Sequence, residues 1–506
     1  MGKELLMAVD LGTSFIKSGI YDIDGNCLAE AREAVKDERP APGIFLQHGR
    51  DLEASVIGCI RKATQAIGKR ASDVRAIAFT GQMAGFMGVD KDWNDITGWS
   101  CSLDTRYAPY AKGQLDRLSR EFLEYSGTSS PLFSAKHEWF RDAFPEEAKK
   151  IAKYVMISGY IIGRLGDIST EEAVIDGSLI TWTGLADVKE RAWSEDICSK
   201  LDVDTAHLPR IVQSTDIVAH LSREAAAITG LCPGISLVSG AGDKIAGCVG
   251  AANLRRGGLL YEAGSFGGLS LMVNDYRPDY EKRHFDILDG CEKGDLYAHY
   301  YMPGSGLTMD WFLRNFVSEK RPLGELYREM DEKMASVPAG SDGLMAIGML
   351  SGTVMPFDSD LRGVWMGHTL SHKAEHFYKS LSESFGYALS GAIERMEALY
   401  PDICAQSIRM IGGGARSEQT AQLLCDIIGK QFEIIDRDDP ALWGCCVLAA
   451  KGIGLIDNME KFASDHVSVR RVFEPNTDLS EKYNELKKQY QHYVETLSPL
   501  CADLIV

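Results

Sequence analysis

Short apolar runs separated by turn residues open the chain, and this pattern is typical of β-strands. Residues 5–34, LLMAVDLGTSFIKSGIYDIDGNCLAEAREA, contain an apolar run, a Gly-Thr-Ser turn and a roughly alternating run. The pair Asp24-Gly25 then leads into a third run. Alternation bounded by turn residues predicts strands, and Asp-Gly between two such runs predicts a hairpin. We therefore predict three consecutive strands in this segment.

Helical and strand patterns then alternate along the chain. From Arg50 to Lys69 the apolar spacing is helical, VRAIAFTG at residues 74–81 is a buried-type strand, and residues 111–165 are mostly helical. In the second half, GGLLYEAGSFGGLSLMVND again reads as strand, Gly-Ser turn and strand, and SIRMIGGGARSEQTAQLLCDIIG as strand, triple glycine and helix. The repetition predicts two similar α/β domains side by side. Residues 245–256 contain no Pro- or Ser-rich linker, so we expect a packed helix to join the two halves there.

Composition narrows the class of protein. A chain of 506 residues is too long for one ordinary core. A formal net charge of -18 disfavours a general binder of nucleic acid or of acidic membranes. There is no apolar run of about eighteen residues, so no membrane span is expected. The 12 cysteines are scattered without a C-x-x-C pair. We interpret them as reduced core thiols and, with no signal-peptide pattern, predict a cytoplasmic protein.

Three glycine-rich turns are candidates for binding phosphate, because glycine lets backbone N–H groups approach an anion closely. The first turn is DLGTS at 10–14. Lys17 follows it on the next strand, and alternation places Lys17 on the same face as Thr13. The second turn is AGSFGG at 263–268 and the third is GGGARS at 412–417. None is a Walker or dinucleotide fingerprint, and each alone is also explained by a plain hairpin. Together they favour a phosphate site, and the first turn supplies Asp10, Gly12, Thr13 and Ser14.

A single carboxylate stands where an apolar strand meets a helix of small residues. In ISLVSGAGDKIAGCVGAA, residues 235–252, Asp243 follows Gly-Ala-Gly at this junction. The residues alone leave two interpretations, an N-cap for the helix or a reacting group. At a helix N-terminus the helix dipole is expected to keep the carboxylate ionised.

The motifs DLGTSFIK, GQMAG, GAGDKIAGCVGA, GSFGG, SGTVMPFDSDLRG and GGGARSEQTAQLLCDIIGK occur in the order of the FGGY carbohydrate kinases. From residue 7 to about residue 455 the chain resembles this family. The resemblance implies an α/β fold with two actin-like (ribonuclease-H-like) ATPase domains around a central cleft. It also implies an N-terminal sugar-binding domain at 1–247 and a C-terminal ATP-binding domain at 248–506.

The resemblance assigns roles to the junction and the turns. Asp243 would be the general base that receives the proton of the sugar hydroxyl, and Asp10 would hold Mg²⁺ through water. PALWGCCVLAAKGIG would close the adenine pocket, or would simply be a buried helix. Thr13 and Lys17 would face the γ-phosphate. The implied nucleotide-binding residues are Gly12, Thr13, Lys17, Gly264, Ser265, Gly413, Gly414 and Ala415.

The sugar side resembles the xylulokinases of the family, with two departures. Gln82 and Met83 of FTGQMAG would contact the sugar, but Ala84 stands where the family usually has His. Asp104 would accept from two adjacent hydroxyls, with Arg106 beside it; the alternative is a surface salt bridge between them. Lys244 stands where the family often has Asn. It would pair with Asp243 or with an anionic substrate, which keeps gluconate as an alternative.

Other polar and aromatic residues have less specific interpretations. Either Gln47 or His48, in a loop that borders the sugar in the family, is a candidate for substrate contact. We expect Trp99, Trp139 and Trp182 to be core or cleft-wall residues rather than dedicated ligands.

The sequence therefore predicts an ATP-dependent carbohydrate kinase that phosphorylates a hydroxyl of a ketopentose such as xylulose. Gluconate, ribulose and glycerol are alternative substrates. An actin- or Hsp70-like switching ATPase is the alternative from another class, and a sugar-sensing regulator is a third. The expected cofactors are ATP and Mg²⁺, and the expected partner is a small-molecule sugar, with no nucleic acid and no membrane. Analogy with the family suggests a homodimer.

Overall fold

The structure is a computed structural model that describes residues 4–358 and 360–503. Three groups of residues lie outside the described part of the chain. They are 1–3, at the start of the predicted first domain, 504–506, at the end of the predicted second domain, and position 359 of the motif SGTVMPFDSDLRG. In the described part of the chain, no helix is both long enough and apolar enough to cross a bilayer.

The first half is rich in short strands, and its predicted opening of three strands is confirmed. Its strands are β1 (Leu5–Leu11), β2 (Phe15–Asp22), β3 (Cys27–Ala34), β4 (Leu46–Gln47), β5 (Val74–Gly81), β6 (Gly85–Val89), β7 (Trp99–Cys101), β8 (Lys153–Val155), β9 (Val174–Asp176), β10 (Ala186–Asp187), β11 (Ala192–Trp193), β12 (Arg210–Val212), β13 (Ile217–His220) and β14 (Ser236–Val238). Its helices are α1 (Gly49–Ile67), α2 (Ala108–Glu121), α3 (Leu132–Ala143), α4 (Pro145–Ala148), α5 (Ile157–Gly166), α6 (Glu195–Lys200), α7 (Arg223–Thr229) and α8 (Asp243–Gly250).

The second half repeats the opening of two strands around a glycine turn. Its strands are β15 (Leu259–Ala263), β16 (Gly267–Met272), β17 (Asp286–Asp289), β18 (Leu296–Met302), β19 (Met345–Ile347), β20 (Thr353–Val354), β21 (Phe357–Asp358), β22 (Val364–Met366), β23 (Ser407–Ile411), β24 (Gln431–Ile435) and β25 (Val469–Phe473). Its helices are α9 (Ser305–Phe312), α10 (Leu323–Met334), α11 (Ala374–Leu399), α12 (Glu418–Ile428), α13 (Pro440–Gly452), α14 (Met459–Asp465) and α15 (Thr477–Cys501).

Each half is built on one large mixed sheet. The first has the order β13-β14-β5-β1-β2-β3, in which β1 is antiparallel to β2 and parallel to β5. The second has the order β17-β18-β16-β15-β23-β24-β25, in which β15 is antiparallel to β16 and parallel to β23. Without the outer strands β13, β17 and β25, the two sheets have the same order of five strands: β3-β2-β1-β5-β14 in the first and β18-β16-β15-β23-β24 in the second. This repetition confirms the predicted α/β class with two actin-like, ribonuclease-H-like domains around a cleft.

Helix α13 of the second half packs on the first half, and its backbone touches that of α8. A Cβ atom added to Gly250 would lie 1.7 Å from the carbonyl oxygen of Pro440. One added to Gly444 would lie 1.9 Å from the carbonyl oxygen of Ala246. Only glycine leaves room for so close a helix contact. Helix α13 also packs on β1 and β5 and is buried along most of its length, so it is a core element between the halves.

A second seam joins the halves through β17. Asp286 is fully buried and accepts hydrogen bonds from the backbone N–H and hydroxyl of Ser129, both at 2.8 Å. It also accepts from the Thr128 hydroxyl and from the Trp182 indole N–H, both at 2.9 Å. Beside it Arg191 of the first half donates to Asp289 Oδ1 at 3.0 Å. Trp182 is thus a structural residue of this seam, in line with its interpretation from the sequence.

Most of the cysteines, but not all, are buried in the core. All twelve carry free thiols, and nine are buried, among them Cys445 and Cys446 of α13. The interpretation of the whole set as core thiols is wrong for Cys27, Cys232 and Cys404, which are exposed. Cys27 begins the edge strand β3, and the other two lie in loops.

The helix contact between α8 and α13 predicts a sharp sensitivity to added methyl groups. Gly250→Ala and Gly444→Ala should each lower the free energy of unfolding by about 1–3 kcal/mol, because the new methyl group overlaps backbone atoms that cannot move away alone. Gly113→Ala is the matched control, since a Cβ atom there meets nothing within 4 Å inside α2. Alanine at that helical position should raise the free energy of unfolding by about 0.5–1 kcal/mol. Urea unfolding measures all three, and equal effects at the three sites would contradict the packing argument.

Candidate active site

The first glycine turn, between β1 and β2, carries a carboxylate and a lysine on paired strand positions. Asp10 and Lys17 are register partners across the β1–β2 ladder, and the Lys17 Nζ lies 3.6 Å from Asp10 Oδ2. The same ammonium donates to Asp439 Oδ2 at 2.7 Å. Asp439 is the N-cap of α13, where its other oxygen accepts from the Leu442 N–H at 3.2 Å. Lys17 therefore links the two halves at the cleft.

The surroundings of Asp10 disfavour its ionised form. Burial raises the pKa of Asp10 to about 7, and Lys17 opposes this rise. The neighbouring carboxylates Asp439 and Asp243 raise the pKa of Asp10 further. Two carboxylates thus act on Asp10, and the Lys17 ammonium 3.6 Å away offsets part of their effect.

The second and third glycine turns, predicted separately, lie against each other. Gly264 and Ser265 follow β15, and Gly413–Arg416 form a tight 3-10 turn after β23, the next strand of the sheet. A Cβ atom added to Gly414 would lie 2.6 Å from the Ala263 Cβ, so these backbones need glycine to approach. The N-terminus of α9 covers the second turn, where the Leu307 N–H donates to the Ser265 carbonyl at 3.1 Å. Gly413, Gly414, Ala415, Gly264 and Ser265 therefore form one surface.

Asp243 is the first residue of α8, and its side chain is 38% exposed. The alternative interpretation as an N-cap is wrong, because Gly242 occupies the N-cap position. The helix dipole was expected to favour the ionised form of Asp243, but the other surroundings of this carboxylate act in the opposite direction overall. Burial raises the pKa of Asp243, Lys244 opposes this rise, and Glu262 adds to it. Burial and Glu262 therefore favour the protonated form of this carboxylate, whereas Lys244 favours the ionised form.

A buried hydrogen-bond network fixes the loop that leads into Asp243. The Gly242 N–H donates to the Ser178 hydroxyl at 2.8 Å. Ser178 in turn bonds Asp176, whose Oδ2 accepts from the Ser214 hydroxyl at 2.8 Å. Burial raises the pKa of Asp176 to about 6, and these hydroxyls oppose the rise. Sequence reasoning missed this network, since its members come from three separate segments of the chain.

Lys244, the residue after the candidate base, is anchored on the second half. Its Nζ donates to Glu262 Oε2 at 2.7 Å and lies 3.7 Å from Asp243 Oδ2. Pairing with Asp243 was anticipated from the sequence, whereas the stronger partner, Glu262, was not. Glu262 stands at the end of β15, 18 residues further along the chain, with no local pattern that marks it.

The GQMAG element is tied to the first turn through Gln47. The Gln47 side-chain N–H donates to the Thr13 carbonyl at 2.7 Å, and its oxygen accepts from Gln82 at 3.3 Å. The Trp99 indole N–H donates to the Gln82 oxygen at 3.2 Å, so Trp99 positions Gln82. Met83 is buried, and its Sδ would lie 2.8 Å from a Cβ atom on Gly242. This places Met83 directly beside the residue that precedes Asp243.

Asp104 and Arg106 form a bidentate pair, but not on the surface. Arg106 Nε donates to Asp104 Oδ1 at 2.9 Å and Nη2 donates to Oδ2 at 2.6 Å, while the Asp104 side chain is only 1% exposed. The alternative prediction of a surface salt bridge is therefore wrong: the salt bridge exists, but its carboxylate is buried. Burial raises the pKa of Asp104, but the Arg106 hydrogen bonds and the charge of Lys136 outweigh it and leave the pKa lowered.

Lys136, unmarked in the sequence, supports the segment that carries Asp104. Its buried Nζ donates to the Ser100 hydroxyl at 2.6 Å, the Cys101 carbonyl at 2.9 Å and the Asp104 carbonyl at 3.0 Å. Burial lowers the pKa of Lys136 to about 7. The Asp104–Arg106 pair is thus joined to Gln82 through strand β7 and not by direct contact.

The residues around Asp10 fit a divalent cation. Within the described residues, no three His, Cys, Asp or Glu side chains stand close enough together to hold a metal ion on their own. Mg²⁺ prefers one or two carboxylates and several waters, which suits Asp10 with its excess of neighbouring negative charge. A cation near Asp10 would also offset the burial and the carboxylate repulsion that raise its pKa.

Known protein families and curated proteins resemble this chain along most of its length. The N-terminal domain model of the FGGY family of carbohydrate kinases matches residues 5–250, and the C-terminal domain model matches residues 274–453. The xylulose kinase of Bacillus subtilis is 25% identical over 496 residues, covering 96% of each chain.

Two solved structures show the same fold. The gluconate kinase of Lactobacillus acidophilus superposes with a TM-score of 0.88 at 19% identity, over 98% of this chain and 99% of that one. The ligand-bound xylulose kinase of Lactobacillus acidophilus also superposes with a TM-score of 0.88, at 20% identity and over 98% of each chain. With both family models matched along most of its length, the chain belongs to the FGGY family of carbohydrate kinases, phosphotransferases that act on a sugar hydroxyl.

Proposed function

We propose that this enzyme transfers the γ-phosphoryl group of ATP to a hydroxyl of a neutral sugar, a ketopentose such as xylulose. The observation that carries the proposal is Asp243, a partly exposed carboxylate at the N-terminus of α8. It stands between the GQMAG element, through Met83 and Gly242, and the second half, through Lys244 and Glu262. A group so placed can receive a proton from a hydroxyl bound beside it.

Phosphoryl transfer depends on positioning and charge neutralisation rather than on covalent catalysis by the protein. Phosphoryl transfer passes through a loose transition state, so the base accepts its proton late and mainly orients the hydroxyl. Burial raises the pKa of Asp243, which favours that late acceptance. Backbone N–H groups of the turns at Gly12 and Gly264 would face the phosphates, with Lys17 and Thr13 beside them.

The remaining assignments follow from the same arrangement. Asp10 would hold Mg²⁺ through water, and the bound ion would neutralise charge on the transferring phosphoryl group. We assign the sugar to residues 1–247, through Gln82, Met83, Asp104 and Arg106, and ATP to residues 248–506. The surface of Gly413, Gly414 and Ala415 would receive the adenosine. Closure of the cleft would exclude water and so prevent wasteful hydrolysis of ATP.

Charge pairing supports a neutral sugar over a sugar acid. Lys244 is held by Glu262, Arg106 by Asp104 and Lys17 by Asp439, so each of these cations already has a carboxylate partner. Asp243, Lys244 and Glu262 together carry one net negative charge, which repels a carboxylate substrate. The name of the Bacillus subtilis relative, xylulose kinase, supports a ketopentose.

The cellular setting completes the proposal. Twelve free cysteines are typical of a reducing compartment, which supports a cytoplasmic enzyme. A homodimer stays a prediction from family analogy.

The substrate proposal is tested by ADP release from the purified protein with MgATP and one acceptor at a time. We expect the highest kcat/KM with xylulose, lower values with ribulose and glycerol, and the lowest with gluconate, because the cleft repels its carboxylate. A preference for gluconate would contradict the charge argument. ADP release that is equal with and without any acceptor would favour the switching ATPase.

The role of Asp243 is tested by Asp243→Asn and Asp243→Ala. Each should lower kcat/KM for the acceptor by about 10²- to 10⁴-fold, because the hydroxyl loses its proton acceptor, while ATP binding is retained. Asp478→Asn is the control, since Asp478 occupies the first turn of another helix, α15, outside the cleft residues. Full turnover in Asp243→Ala would remove Asp243 from the mechanism.

A further inference from the structure

The Lys244 ammonium lies between two carboxylates that belong to opposite halves of the molecule. Its side chain is 11% exposed, with Glu262 Oε2 at 2.7 Å and Asp243 Oδ2 at 3.7 Å. The first distance is a charge-assisted hydrogen bond, and the second is an ion pair without one. Lys244 follows Asp243 in the first turn of α8, whereas Glu262 is the penultimate residue of β15.

We propose that Lys244 is a positioning residue whose division between Glu262 and Asp243 sets the proton affinity of the base, so that the second half of the molecule controls the base in the first. This inference rests on the proposed function, in which Asp243 accepts the proton of the sugar hydroxyl. It concerns Lys244 and Glu262, neither of which needs to touch the substrate.

The surroundings of Lys244 leave few other charges to act on the base. The Lys244 stem packs over Gly268 of β16, with Cδ and Cε 3.6 and 3.7 Å from the place of a Cβ atom there. On β18, burial, and then Lys244, lower the pKa of His299 to about 3, so that imidazole is neutral. Burial also raises the pKa of Tyr301 of β18, so its phenol is neutral as well.

On the other side of Asp243, the charged groups are those of the first turn. Asp243 raises the pKa of Asp10, so the two carboxylates interact. Lys17 neutralises part of that charge, and is itself paired with Asp439. Against this constant background, Lys244 and Glu262 act on Asp243 in opposite directions: Lys244 favours its ionised form and Glu262 disfavours it.

Glu262 connects this control to the nucleotide side. Glu262 lies near the end of β15, and Gly264 follows it two residues later, just after the strand. The segment proposed to contact the phosphates therefore also holds the partner of Lys244. A shift of this strand end changes the share of the ammonium that Asp243 receives.

The test is the pH dependence of kcat/KM in three variants, with the acceptor that wild type uses best. Lys244→Met should move the acid limb up by about one pH unit or more, because the ionised base loses its cation. Glu262→Gln should move the limb in the opposite direction, because Lys244 is released toward Asp243 and a negative charge is removed. Lys244→Arg keeps the charge and should leave the limb near that of wild type.

A structural defect alone does not produce shifts of opposite sign. The matched control is Lys430→Met, since Lys430 pairs with Glu397 at 2.9 Å with side chains 18% and 30% exposed, against 11% and 30% for Lys244 and Glu262. It should lower the midpoint of thermal unfolding without moving the acid limb. Shifts of the same sign in Lys244→Met and Glu262→Gln, or no shift in either, would overturn the proposal.

A second measurement needs no substrate. The unfolding temperature of each variant is compared with that of its Asp243→Asn counterpart between pH 4 and 9, a range of about five units chosen to span raised carboxyl pKa values. Because folding raises the pKa of Asp243, the stability that its protonated form contributes is present at low pH and is lost as pH rises through the folded pKa. That loss should occur at higher pH in Lys244→Met and at lower pH in Glu262→Gln.

The two measurements separate the two proposals. If no acceptor stimulates wild-type turnover, the proposed function fails, and the unfolding series still decides whether Lys244 and Glu262 control Asp243. If turnover is sugar-dependent but the unfolding series shows no opposite shifts, only the inference about Lys244 fails.

Discussion

The backbone contact between α8 and α13 is the constraint on which the site depends. Gly250 lies against Pro440 and Gly444 against Ala246, so each helix fixes the position of the other. Both helices begin at the cleft, α8 with Asp243 and α13 just after its N-cap Asp439. Two positive helix ends and two carboxylates are thereby brought to the same region, next to Lys17 and Asp10. A side chain in the contact would separate these groups.

Local patterns in the sequence were sufficient for the frame of the molecule. Strand β5 occupies the predicted residues 74–81, and the hairpin turn at Asp24-Gly25 separates β2 from β3 as expected. These elements depend on neighbours within a few residues, where alternation and glycine carry the signal. The positions of the glycine turns were also predictable, because backbone approach restricts the residue type.

The partners of the site residues were not predictable, because their contacts join distant segments. Lys17 and Asp439 are separated by 422 positions, and Lys136 reaches Asp104 from another element across 32. Nothing in the sequence around Glu262 or Asp176 distinguishes them from ordinary acidic residues. Burial of Asp104 was equally hidden, since an acidic residue followed by arginine has the local pattern of a surface pair. Such roles are properties of the folded surface and appear only when the halves are assembled.

The two seams between the halves have a geometric consequence. One is the glycine contact of α8 with α13, and the other is the buried cluster around Asp286 and Asp289. A rigid rotation that preserves both contacts must turn about a line passing close to each of them. Rotation about the line that joins the two seams is the rigid motion that would preserve both, whereas sliding or twisting of one half over the other would break at least one of them. The proposed closure of the cleft would then follow a single arc, which would bring the reacting groups back to the same register each time.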